Sequence, residues 1–233
     1  MTRRREVSRV EGFSDAVFAL AITLLVVSLE VPKTFDELMN TIRGFPAFAI
    51  CFALLFQVWW RHYQFFRSYD LEDACVIAWT GVLLFVVLFY VYPLKFMWSL
   101  LFGDLQGRGS LEVMAVRQTP ALLAIYGIGV ILVFSILAIL YFHAYRLRKM
   151  LDLSPAEALD ARVRVYSNLA IALWGVASIA VAFALGAARP RLAGLAGFVY
   201  SGIGLSEWAL GTYRGRMLRR LTGERSTLTS LGV

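Results

Sequence analysis

Six apolar runs, at 13–31, 45–60, 74–93, 121–142, 169–188 and 192–211, recur along the chain. Most are close to the roughly twenty residues that an α-helix needs to cross the hydrocarbon of a bilayer. Nothing else in the sequence restricts the fold as strongly. A backbone in lipid must satisfy its own polar groups, so runs of this kind become helices. Composition agrees, since 59% of the residues are apolar and only 17% charged, far from the balance of a water-soluble domain. The expected fold is all-α, a polytopic membrane protein in which residues 1–233 form a single six-helix transmembrane domain. The first two runs are somewhat short and carry polar residues, so their ends are the least defined boundaries.

A net charge of +7 would suggest nucleic acid as a partner of a soluble protein, but its distribution points elsewhere. If the loops alternate between two sides, the stretches 3–9, 61–67, 146–164 and 214–225 hold sixteen of the 23 basic residues, and 33–43, 95–117 and 189–191 hold seven. That is a positive-inside bias. It predicts a multi-pass protein of the cell inner (plasma) membrane with both termini in the cytoplasm, no nucleic-acid partner, and an arginine-rich tail at 213–225 suited to anionic lipid headgroups. The first run is interrupted by Asp15, lacks a small-residue cleavage site and ends at Glu30-Val-Pro32, so it reads as a retained helix.

That first helix opens with Arg9-Val-Glu-Gly-Phe13-Ser14-Asp15 and continues through Leu20, Thr23, Leu24 and Val27. At about 100° per residue, Phe13, Leu20, Leu24, Val27 and Val31 share one face. Ser14 and Asp15 fall away from it, and Asp15 lies nearly opposite. A carboxylate in an apolar segment is costly to bury alone, so Asp15 must face other protein, a polar cavity or a cation. The aliphatic stripe has two readings from the residues alone. It packs against lipid or another helix, or it walls a path through the bilayer.

The rest of the chain reads mainly as scaffold. All six prolines fall at or near predicted helix ends, where a missing amide costs least. Ser154-Pro155-Ala-Glu157 is a helix start, predicting a short amphipathic helix ahead of the fifth run. Gly127 and Gly129 permit close packing. Cys51 and Cys75 read as packing residues, too far apart to pair. His62 is either an interfacial anchor or a donor to the Arg9–Ser14–Asp15 knot. Glu207 reads as a carboxylate within reach of Tyr213 or Arg214 rather than as an ion ligand.

Arg9-x-x-x-Phe13-Ser14-Asp15, Ala-Ile-Thr23-Leu24-Leu, Glu30-Val-Pro32 and Trp59-x-x-His62 together resemble the transmembrane protein 175 family, the endosomal and lysosomal potassium channels and their prokaryotic relatives. The likeness covers the whole chain in layout and is specific mainly in its first 70 residues. Thr80-Gly81 departs from the pattern, which has an asparagine after the aromatic of the third run. The resemblance implies a potassium-permeable channel with six helices per subunit, a homotetramer whose first helices surround a central pore. Carried over by position, Leu20 is the narrowest hydrophobic ring, with Thr23, Leu24 and Val27 above it. Arg9, Phe13, Ser14, Asp15 and His62 are assigned to the structural polar network.

No Thr-Val-Gly-Tyr-Gly filter loop is present, and no ring of acids lies on the stripe. Selectivity would then come from the aliphatic constriction, helped by Thr23 hydroxyls and backbone dipoles. The expected partners are potassium and other monovalent cations, membrane lipids and further copies of the chain, with no cofactor and no metal site. The alternative is a small-substrate or proton-coupled secondary transporter. An enzyme is not expected, because two histidines without metal-ligand spacing or a nucleophile motif offer no catalytic constellation.

Overall fold

Helix starts follow the capping and proline signals of the sequence in the computed structural model, which describes residues 7–27, 32–105, 118–188 and 190–230. The elements in order are α1 (Arg9–Val27), α2 (Phe35–Arg43), α3 (Phe45–Ser68), α4 (Ala74–Leu105), α5 (Thr119–Arg146) and α6 (Pro155–Ala188). A 3-10 segment (Pro190–Ser201) and α7 (Gly202–Ser230) complete the chain. Pro46 and Pro120 are the second residues of α3 and α5, within the first turn, where their fixed φ suits a helix and their missing amide is no loss. Before α6, Ser154 and Glu157 exchange their backbone amides and side chains at 2.9 and 3.3 Å, a closed capping box.

Four features differ from the sequence reading. The cap at Ser154 opens no separate amphipathic helix, because α6 runs unbroken to Ala188. Pro93 lies inside α4, which continues to Leu105, and the Pro93 carbonyl accepts the Tyr126 hydroxyl of α5. A neighbouring helix thereby engages the α4 backbone at the proline itself. The helix α2 was not anticipated, although Thr34-x-x-Glu37 is a capping signal. The Thr34 hydroxyl accepts the Glu37 amide, and the Glu37 carboxylate accepts the Lys33 amide at 2.7 Å. Last, the sixth apolar run begins in the 3-10 segment and becomes α-helical only at Gly202. The loop glycines Gly107 and Gly109, together with Glu30 and Val31, lie outside the described residues.

Among the described residues three helices are long and apolar enough to cross a membrane, namely Ala74–Met97 within α4, the whole of α5, and Pro155–Ala187 within α6. The pair α2 and α3, bent by 43°, makes a fourth if it counts as one span. Among the described residues the protein is helical throughout, with α5 against α6 as its most extensive pairing. Lipid gives no hydrophobic drive to that contact, so close backbone approach must supply it. Gly127 and Gly175 face each other there, and a Cβ on Gly175 would sit 3.1 Å from the Gly127 carbonyl oxygen. A Cβ on Gly127 would overlap the Ile179 side chain.

Two buried clusters follow. Phe18, Leu25, Leu55, Leu83 and Leu137 join α1 to α3, α4 and α5. At the arginine-rich end, Phe65, Phe66, Tyr69, Val76, Tyr141 and Val165 join α3 and α4 to α5 and α6.

Candidate functional site

Only one side of α1 is covered. Ser8 caps the helix, its hydroxyl accepting the Glu11 amide at 3.0 Å. From there Glu11, Ser14, Phe18, Ala21 and Leu25 are buried in the packing of α1 against α3 and α4. At 100° per residue the opposite side carries Arg9, Phe13, Ala16, Leu20 and Thr23, all of them exposed. Phe13 is 64% exposed and Leu20 51%, large values for apolar side chains inside a helix that otherwise packs tightly. Leu24 sits at the edge of this free face, half-buried against the core. The side chain of Val27 lies outside the described residues.

Thr23 donates its hydroxyl to the Ala19 carbonyl at 2.8 Å. Its proton is thereby committed, and its oxygen keeps acceptor lone pairs directed away from the helix. Beyond it, Lys95 of α4 reaches the Leu25 carbonyl at 3.5 Å, where a cation favours the end of a helix dipole.

The polar end of α1 is tied down by partners that differ from those the sequence suggested. Asp15 accepts the indole N–H of Trp59 at 2.8 Å, across to α3. His62, one turn on, is buried between Phe18 and Phe66, with ring centroids 5.8 and 4.9 Å away. It therefore acts neither as the donor to Asp15 nor as an interfacial anchor. Ser14 is buried but donates to the Val10 carbonyl of its own helix at 2.7 Å. Arg9 is exposed, and the ion pair at this end joins Glu11, only 2% exposed, to Arg67 of α3 at 3.6 Å. Glu11 was missed by the sequence reading, although Ser8-x-x-Glu11 carries the capping signal.

A second polar cluster holds α3 to α6 and α7. The guanidinium of Arg61 donates to Ser167 at 3.0 Å, to Asn168 at 3.1 Å and to Glu207 at 3.3 Å. Ser167 also donates to Glu207. Arg61 lies over the Phe134 ring as well, 5.5 Å from its centroid, and its carbonyl accepts the Tyr141 hydroxyl at 2.8 Å. Glu207 is thus paired with Arg61, while Arg214, the partner suggested by proximity in sequence, pairs with Asp160 at 2.6 Å. One arginine satisfying three acceptors from two helices makes this cluster a brace. It stands away from the free face of α1.

Comparison with known proteins adds an independent line. A family model for the endosomal/lysosomal potassium channel TMEM175 matches residues 9–90. A potassium channel of Marivirga tractuosa is 36% identical over 206 residues, covering 85% of this chain and 83% of that protein. A potassium channel of Chamaesiphon minutus is 34% identical over 96 residues, 38% of this chain and 47% of that one. Among solved structures, a threonine-to-alanine variant of the potassium channel MtTMEM175, bound to a nanobody fusion, superposes with a TM-score of 0.81 at 33% identity. That match covers 93% of this chain and 97% of the other. A TMEM175 homologue from Chamaesiphon minutus shares the fold, with a TM-score of 0.53 at 24% identity over 89% of this chain and 99% of that one.

Proposed function

This chain belongs to the TMEM175 family, and from that premise we propose that it conducts potassium through a pore lined by the free face of α1. Four copies arranged about one axis, each contributing six membrane helices, bring Leu20 of every subunit to the narrowest point. The observation that carries the reading is the exposure of Phe13, Leu20 and Thr23 on a helix whose other side is fully packed. A single α1 cannot enclose an ion path, whereas symmetry-related copies of one surface can.

The chemistry of the ring follows from its side chains. Leucine offers no ligand, so a passing cation must shed part of its hydration shell or wait for the ring to wet. Thr23, one turn above Leu20, has already given its proton to Ala19, so its oxygen can accept a cation in place of lost water. Permeation of the less tightly hydrated potassium over sodium is the expected outcome. Asp15, Trp59, Glu11 and Arg67 hold the helix in register and stay off the ion path. The arginine-rich end faces the cytoplasm of the inner membrane in this arrangement.

Reconstitution into a planar bilayer with potassium on one side and sodium on the other tests the reading. Discrete current steps reversing toward the potassium equilibrium potential support it. Saturable, coupled flux without steps rejects a channel in favour of a transporter, and steps unaffected by Leu20→Cys plus a thiol-reactive cation reject α1 as the lining.

A further inference from the structure

At the arginine-rich end of the bundle, three side chains from the start of α4 and the end of α5 converge in a way that neither the pore nor the braces use. Asp73 precedes α4, Cys75 lies in its first turn, and His143 lies in the last turn of α5. One ligand atom from each lies within 4.8 Å of the other two. His143 Nε2 stands 2.6 Å from Asp73 Oδ2. The other carboxylate oxygen, Oδ1, accepts the Val76 amide at 2.9 Å, so the cap fixes the carboxyl group and leaves Oδ2 pointing at the histidine. All three residues are half-buried, and Asp73 and His143 remain 40% and 24% exposed at their side chains, which leaves a way in from solvent.

We propose that Asp73, Cys75 and His143 form a binding site for a divalent transition metal of zinc's class, with water as the fourth ligand. Carboxylate oxygen, thiolate sulfur and imidazole nitrogen are the donor types such an ion selects, and a three-ligand set leaves one tetrahedral position open. Zinc bonds of about 2.0–2.1 Å to nitrogen and oxygen and about 2.3 Å to sulfur require ligand-to-ligand edges of roughly 3.3–3.7 Å. The His143 and Asp73 atoms must therefore separate by well under an ångström from their hydrogen-bond distance, and the Cys75 sulfur need approach by no more than about 1.5 Å, within the reach of a side-chain rotation.

Charge balances as well. A dication held by one carboxylate, one thiolate and one neutral imidazole is neutral overall, which suits a site at the edge of lipid. On binding, the Cys75 thiol proton leaves to solvent, and the proton on the histidine nitrogen facing Asp73 moves to its other nitrogen or to solvent. The backbone amide on Oδ1 serves as the outer support that orients a ligand. Bound metal would join the start of α4 to the end of α5, independently of what passes through the pore.

Cobalt(II) added to the tag-free, purified full-length protein in detergent is the probe, because a coordinated thiolate gives a near-ultraviolet charge-transfer band. One cobalt per chain is expected with that band, displaced by zinc. Cys75→Ser should abolish the band, and Asp73→Asn or His143→Gln should weaken binding by at least about tenfold, since even outer-shell changes cost that much. Cys51→Ser should leave both unchanged. In the parent protein, zinc should also shield Cys75 from alkylation, read by mass spectrometry, a measurement that needs no variant. Absence of the band in the parent, its survival in Cys75→Ser, or equal alkylation of Cys75 with and without zinc would overturn the site.

Discussion

Replacing Arg61 by methionine removes one guanidinium and keeps most of its apolar stem, and the structure sets the size of the loss. Three donated bonds disappear, to Ser167, Asn168 and Glu207. The Glu207 side chain is 37% exposed, so its ion pair with Arg61 is screened and worth below about 1 kcal/mol. Ser167 and Asn168 are buried, and a buried acceptor stripped of a charged donor costs about 1–3 kcal/mol. Ser167 keeps its contact with Glu207, and Asn168 keeps its amide on the Arg164 carbonyl at 2.9 Å, which limits the damage. The sum is a loss of about 2–4 kcal/mol in unfolding free energy, measured by denaturant titration in mixed micelles. Arg61→Lys should recover less than half of it, because a point charge cannot serve three acceptors in fork geometry. In a double-mutant cycle with Asn168→Ala the two changes should couple by about 0.5–3 kcal/mol. Ion selectivity should stay at the parent value, since neither residue is on the free face of α1. A loss under about 1 kcal/mol, or strictly additive changes, would refute the brace.

Four further outcomes are expected. Leu20→Ala should raise single-channel conductance and weaken potassium over sodium discrimination, and bilayer recordings identical to the parent would refute the proposed constriction at Leu20. Trp59→Phe keeps the ring but strands the Asp15 carboxylate, so thermal or denaturant stability should fall by about 1–2 kcal/mol while single-channel conductance holds. Gly127→Leu forces bulk into the α5–α6 contact at Ile179 and should cost about 1–3 kcal/mol, whereas the same change at Gly81, with open space around it, should cost far less. Burial opposes ionisation of Asp73, but the His143 bond and the Val76 and Cys75 amides outweigh it and hold its carboxyl below the ordinary 3.8. A lowered folded-state value means stability present above about pH 4 and lost as pH falls through that lower value, so metal-free melting curves of Asp73→Asn should show a flatter acid limb than the parent.

Much of this protein was legible in its residues because lipid leaves a backbone so few choices. Long apolar runs had to be helices, Pro46, Pro120 and the Ser154–Glu157 box marked where helices begin, and Gly127 and Gly129 marked close contacts, each by a local rule. The motif from Arg9 to Asp15 carried the family, and the 100° period separated the side of α1 holding Phe13 and Leu20 from the side holding Ser14 and Asp15. Tertiary structure decided the partners, because a side chain's partner depends on the depth and rotation of another helix, which no periodicity records. Asp15 could have met His62, yet the rotation of α3 presents Trp59 and turns His62 into the aromatic core. Glu207 had arginines close in sequence and met Arg61, which is 146 positions away. Pro93 reads as a helix end in the sequence, yet α4 runs through it to Leu105. Asp73, Cys75 and His143 show the same limit, for 70 positions separate the aspartate from the histidine and only the packing of α4 on α5 brings their ligand atoms together.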